Sequence, residues 1–177
     1  KSSEGTMREG KPDGFWKTYY ADGKLKSEGY RKNFELDSLW KFYDSNSSVA
    51  LEIEYGHGKK NGKRITYEDG NKTMYEIFRD DVKNGETVLY FKEGGIQKRI
   101  TYVDGREEGR AFEYSRDSLI ITILDYKNGV LLKREIMNRR DRLNRKLGVW
   151  KEFYKSGNVK LEGNYNDDKK NGVFRYY

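Results

Sequence analysis

The side chains that most often do chemistry are sparse in this chain, and where they occur they sit at turn positions. There is one histidine, His57, in Gly56-His57-Gly58, and no cysteine. Without a thiol or a second imidazole, neither a zinc site of the His/Cys type nor a Cys–His or Ser–His nucleophile pair can be built from the usual parts, and disulfides are excluded. His57 reads as an exposed turn residue. The paired acids Asp80-Asp81, Glu107-Glu108 and Asp167-Asp168 fall in equivalent linkers, which argues for turn formation over acid–base work. By residue type Glu28, Glu54, Glu76 and Glu162 could form glycosidase-like pairs. That chemistry needs one carboxyl of raised pKa in a dry cleft, and an open sheet does not make one. The expectation is no enzyme, no cofactor and no metal.

The elements that hold these residues repeat. Gly14-Phe-Trp-Lys-Thr-Tyr-Tyr-Ala-Asp-Gly23 returns as Gly148-Val-Trp-Lys-Glu-Phe-Tyr-Lys-Ser-Gly157, and weaker copies lie between. Aligned on a small residue, the copies start at Gly14, Ser38, Gly62, Gly85, Gly109, Gly148 and Gly172, a period of about 24 residues broken once by a spacing of 39. Five positions on stand Tyr19, Tyr43, Tyr67, Tyr90, Tyr114, Phe153 and Tyr177; a second ring follows at Tyr30, Tyr55, Phe78, Tyr102, Tyr126 and Tyr165. The glycines follow this period and not the spacing of a phosphate or dinucleotide loop. Between the rings come Ala21-Asp-Gly-Lys24, Glu68-Asp-Gly-Asn71, Glu93-Gly-Gly95 and Lys155-Ser-Gly-Asn158. Such turn chemistry between aromatic and β-branched runs makes each copy a β-hairpin. Linkers such as Gly10–Gly14, Gly58–Gly62, Gly105–Gly109 and Asp168–Gly172 supply a second turn. The expected fold is all-β, an elongated single-layer antiparallel sheet of tandem hairpins, a meander of about fourteen strands over residues 1–177.

The wide spacing leaves fifteen extra residues, placed at Lys133 to Leu147. This stretch reads as a lengthened basic hairpin projecting from the array, with a short helix as the alternative. Ser3-Glu4-Gly5 matches Ser27-Glu28-Gly29, and Tyr177 is the first ring of a further copy, so both termini are expected to cut through repeats of a longer array. Open strand edges at such cuts allow self-association.

Of 177 residues, 37% are charged and 34% hydrophobic, with a mean hydropathy of −1.07, against a deep two-layer core. Yet 15% are aromatic, which is not the composition of a disordered chain. Half-buried tyrosines on a pleated surface fit both facts. No apolar run is long enough to span a bilayer as a helix. The net charge of +7 gives moderate attraction to anionic surfaces.

Two groups are candidates for binding a partner. One is the basic set Arg139, Arg140, Arg142, Arg145 and Lys146. The other is the row Trp16, Trp40 and Trp150, two residues after each copy's start, continued by Phe174 and interrupted by Arg64, Thr87 and Ala111. Packing on the neighbouring hairpin is the favoured role of the row, and an exposed strip is the alternative. Rings beside cations could also stack single-stranded bases, a minor reading because acids and bases nearly balance.

The pattern Gly-x-Trp-x-x-Tyr-Tyr-x-x-Gly-x-Leu-x-x-Glu in Gly14 to Glu28, and its counterpart in Gly148 to Glu162, resembles the variant MORN repeat of bacteria. The resemblance covers essentially the whole chain and is weakest over Phe34 to Tyr55. It implies a single-layer sheet of hairpins and no catalytic residues. Proteins of this type often carry a toxin–antitoxin label, and others look like envelope lipoproteins. The expectation is a non-enzymatic protein-interaction scaffold in the bacterial cell envelope, with the cytoplasm as the other location. Its alternatives are a peripheral binder of anionic lipid and an antitoxin or immunity-type protein that caps a toxin.

Overall fold

A computed structural model describes residues 2–154 and 156–177. The first half of the chain forms β1 (Ser3–Arg8), β2 (Lys11–Tyr19), β3 (Leu25–Lys32), β4 (Glu35–Tyr43), β5 (Val49–Gly56), β6 (Lys59–Glu68), β7 (Asn71–Arg79), β8 (Val82–Lys83) and β9 (Gly85–Tyr90). The second half forms β10 (Ile96–Val103), β11 (Arg106–Glu107), β12 (Gly109–Tyr114), β13 (Ile120–Lys127), β14 (Val130–Ile136), β15 (Arg139–Arg140), β16 (Lys146–Phe153), β17 (Val159–Asn166) and β18 (Lys169–Tyr176). The fold is all-β and antiparallel, as the repeat requires, with no helix among the described residues.

Turn chemistry sets the meander. The links between copies are two-residue turns with both residues at positive φ: Glu9-Gly10, Asn33-Phe34, His57-Gly58, Asp80-Asp81, Asp104-Gly105, Asn128-Gly129 and Asp167-Asp168. This backbone twists in the same sense as the flanking strands. Asp80-Asp81 and Asp167-Asp168 are therefore turn residues, and His57 is an exposed one at φ 52°. Glu107-Glu108 is not; Glu107 ends β11 after the turn, and Glu108 lies between β11 and β12. The linker glycines likewise extend past the turns, because residues 11–13, 59–61 and 169–171 are already strand. The glycine that starts each copy is a bulge position at positive φ, and Ser38 holds the same left-handed conformation at 58°. Within the copies a five-residue turn recurs, as in Tyr20–Lys24 and Asp44–Ser48, closed by a bond from the first residue's N–H to the fifth residue's carbonyl. Tyr154 and Asn158 close such a turn too, although Lys155 lies outside the described residues.

The strands form two sheets where one was expected. The first runs β1-β2-β3-β4-β5-β6-β7-β9-β10-β12-β13-β14, with β8 on β7 and β11 on β10; the second runs β15-β16-β17-β18. The short strands β8, β11 and β15 continue into or from a longer neighbour, so the described residues make fifteen passes. The extra pass is the stretch read as a projecting hairpin. Val130–Ile136 instead pairs along β13, and Arg139-Arg140 pairs with Leu147 and Lys146. Asp141–Arg145 closes the same five-residue turn as the other hairpins. An inserted pass shifts the phase of the meander. Counted as passes along the chain, the first strands β2, β4, β6, β9 and β12 belong to even-numbered passes, and β16 belongs to an odd-numbered one.

Candidate interaction surface

Each copy aims one row of residues at each face. On one face the residue two past the start lies opposite a position of its own second strand: Trp16 opposite Gly29, Trp40 opposite Ile53, Arg64 opposite Glu76, Thr87 opposite Ile100, Ala111 opposite Leu124 and Trp150 opposite Gly163. The rings also cover a glycine of the preceding strand: Trp16 over Gly5, Trp40 over Gly29 and Phe174 over Gly163, each so close that a methyl group there would overlap the ring. Trp40 is 2% exposed and Trp150 7%, with Trp16 half-buried. The indole N–H groups of Trp16 and Trp40 donate to the carbonyls of Thr6 and Tyr30.

The other face carries a ladder. Tyr43 donates its hydroxyl to Glu28 at 2.6 Å, Tyr67 to Glu52 at 2.9 Å and Tyr177 to Glu162 at 3.2 Å, and Tyr19 makes the same link to Glu4. The same acids face Lys17, Lys41 and Lys151 of their own copies at 3.9, 3.6 and 3.4 Å. Glu28, Glu52 and Glu162 thus each join a lysine of one copy to a tyrosine of the next. Burial first, and then the carboxylate bond, pushes the Tyr43 and Tyr67 phenols up to about 12. In the middle copies the apolar Ile65, Val88 and Phe112 replace the lysine, and Tyr75, Arg99 and Ile123 replace the glutamate. Val88 faces Tyr75 and Arg99, and Phe112 faces Arg99 and Ile123.

The family model for the MORN repeat variant matches residues 12–33 and 146–167, the two segments in which a tryptophan lies opposite a glycine. These two segments are similar to variant MORN repeats. No curated protein matches the chain. The hairpins between the two MORN segments keep their turns and pairing while losing the tryptophan–glycine motif. All-β repeat folds of the MORN kind are typically non-catalytic.

The array places the basic candidates in three settings. Arg140 and Lys146 stack on Trp150, at 5.1 and 4.5 Å from the ring centre, contacts that favour cations over aromatic faces. Arg145 is bound to Asp141 at 2.6 Å and Asp167 at 3.2 Å. Arg139 and Arg142 are exposed. The hairpin is thus fastened to the second sheet by three cations and offers two to solvent. Of the tryptophan row, Trp40 and Trp150 leave little ring surface for a partner.

The glutamates that resemble a glycosidase set do not share a site. Glu28 and Glu162 belong to the tyrosine ladder, Glu54 accepts the Lys63 N–H, and Glu76 is on the opposite face. Glu76 is 2% exposed, held by Lys83 at 2.6 Å and by Arg64. Burial works to raise its pKa, but the two cations outweigh it and hold the carboxyl below its usual value. A cavity of about 500 Å³ is lined by Leu89, Phe91, Lys98, Glu113 and Ile121, and one of about 650 Å³ by Glu86, Arg99, Arg110 and Phe112. Their acids Glu113 and Glu86 are paired with Lys98 and Arg99.

Sequence reasoning did not single out Asn138, which is 5% exposed and joins the two sheets. Nor did it pair the ladder, whose signal is the constant offset of fifteen residues from each glutamate to its tyrosine.

Proposed function

We propose that this chain is a non-enzymatic scaffold that binds a protein partner at the junction between its two sheets, within a bacterial cell-envelope assembly. MORN repeats commonly bind proteins or lipids. The observation that carries the protein reading is the coincidence of charge and apolar surface at one place. Residues 133–146 hold seven basic and two acidic side chains, five of the chain's seven excess positive charges. They directly follow Val130, Leu131 and Leu132, which are 60, 45 and 65% exposed. On the ladder face Lys17, Lys41 and Lys151 are each set against a glutamate. The envelope placement rests on the resemblance to bacterial variant MORN proteins, and the cytoplasm is the alternative.

The test uses the full-length protein as bait in its native host under gentle crosslinking, beside an R139S/R142S variant. These two arginines are exposed, so their loss should leave the thermal midpoint nearly unchanged while recovery of a stoichiometric partner falls. Equal recovery removes the basic hairpin from the proposal.

The net charge favours a second reading, a peripheral binder of anionic lipid. It predicts binding to phosphatidylserine vesicles that collapses as salt rises. Binding that is absent or insensitive to salt excludes it.

A further inference from the structure

We propose that the outer edge of β14 is a docking site for an extended acidic segment of a partner protein, added as a strand beside Val130–Ile136. The inference rests on the protein-binding reading and specifies its site and mode.

The two sheets separate at Asn138. Up to Ile136 the chain pairs with β13; at Asn138 its N–H turns to the Val149 carbonyl, and from Arg139 it pairs with β16. The side of β14 away from β13 is left without a partner strand among the described residues. This open edge lies inside the array, not at a terminus. Main-chain groups alternate in direction along an antiparallel ladder. The Met137 N–H bonds the Ile121 carbonyl of β13, while the Asn138 N–H points the other way, to Val149. By that alternation the N–H and carbonyl groups of Arg134 and Ile136 point to the open side. An unpaired row of this kind is a template for an added strand.

Charge and side chains select the occupant. Val130, Leu131, Leu132 and Ile136 are all at least 38% exposed, and Lys133 and Arg134 stand among them. Antiparallel pairing of two β14 strands would set these cations against one another, which disfavours a second copy. An acidic segment alternating glutamate with β-branched residues would instead satisfy the main chain, the apolar side chains and the local positive charge.

The probe is a short blocked peptide alternating Glu and Val, with a second peptide N-methylated at alternate residues so that charge is kept and one row of donors is lost. Binding is read by fluorescence anisotropy, and protection of the Arg134 and Ile136 amides by hydrogen exchange. The plain peptide should bind and protect both amides, and N-methylation should weaken binding by about tenfold or more. A K133E/R134E variant, altered only in exposed side chains, should lose the acidic peptide and take up a Lys–Val one. Equal binding of both peptides, or binding without protection of the two amides, would show charge attraction alone and overturn the edge site. So would failure of the plain peptide to bind, or a concentration-dependent dimer abolished in K133E/R134E. In each of these cases the scaffold reading would still be judged by native partner capture.

Discussion

The carboxamide of Asn138 takes up both main-chain hydrogen-bonding groups of Lys151: the Lys151 N–H donates to Oδ1 at 2.8 Å, and Nδ2 donates to the Lys151 carbonyl at 2.9 Å. The second Nδ2 proton reaches the Ile120 carbonyl at 2.9 Å, while the residue's own N–H donates to Val149 at 2.8 Å. One side chain thus replaces a stretch of ladder at the point where the strands diverge. It links β13 to β16, with the backbone at φ 53°, a conformation asparagine tolerates. Beside it, Glu135 binds Lys151 at 2.5 Å.

Replacing Asn138 should therefore loosen the junction first. N138A leaves several buried main-chain groups unpaired, at a cost of about 3 kcal/mol. N138D should fare no better, since it sets a carboxylate against two carbonyl oxygens. Denaturant unfolding measures the loss, and faster hydrogen exchange at the Lys151 amide locates it.

Gly29 and Ser38 should respond in opposite directions. A methyl group at Gly29 would overlap the Trp40 ring, so G29A must displace a buried indole and should cost about 1–3 kcal/mol. Ser38 already occupies a left-handed backbone that glycine adopts without strain. S38G should therefore stabilise by up to about 1 kcal/mol, read as a rise in the thermal midpoint.

Glu76 should govern part of the acid limb of stability. Its carboxyl pKa is lowered in the folded state: burial opposes this, and the bonds from Lys83 and Arg64 prevail. Its contribution is then present above the unfolded carboxylate value of about 4.3 and is lost as pH falls through the lower folded value. E76Q should cost about 3 kcal/mol at neutral pH, and its deficit should shrink as pH drops into the acid range. A deficit that is constant across that range would exclude the ionised pair as its origin.

Half-buried tyrosines bonded to glutamates predict delayed phenol ionisation. Tyr43, Tyr67 and Tyr102 are pushed up to about 12, in each case by burial first and then by a neighbouring glutamate. Because the folded value lies above the unfolded one of about 10, their contribution is complete below pH 10 and is lost as pH rises through about 12. Ultraviolet titration of folded protein should show a late-ionising class, and E28Q should bring Tyr43 earlier while leaving it above an exposed phenol, because burial remains.

Much of the fold was legible because the repeat marks it directly. The glycines at Gly14, Gly62, Gly85, Gly109, Gly148 and Gly172 recur where a bulge demands positive φ, and dipeptides such as Asp104-Gly105 and Asn128-Gly129 mark the turns. The candidate site was less legible. Arg139, Arg140, Arg142, Arg145 and Lys146 form one basic cluster in sequence, yet two stack on Trp150, one binds Asp141 and Asp167, and two face solvent. Which cation is consumed depends on neighbours 4 to 22 residues away.

By itself the sequence determined the period, the hairpin within each copy and the alternation of rings, because these depend on φ preferences and side-chain alternation along a single strand. The tertiary structure decided what residues 133–147 become. Val130–Ile136 joined β13 as an extra pass instead of folding back on itself. With that pass the array divided into two sheets, and an asparagine that belongs to no repeated position became the link between them. Pairing between strands is a choice among edges brought together only in the folded chain, so the pattern within one copy could not specify it.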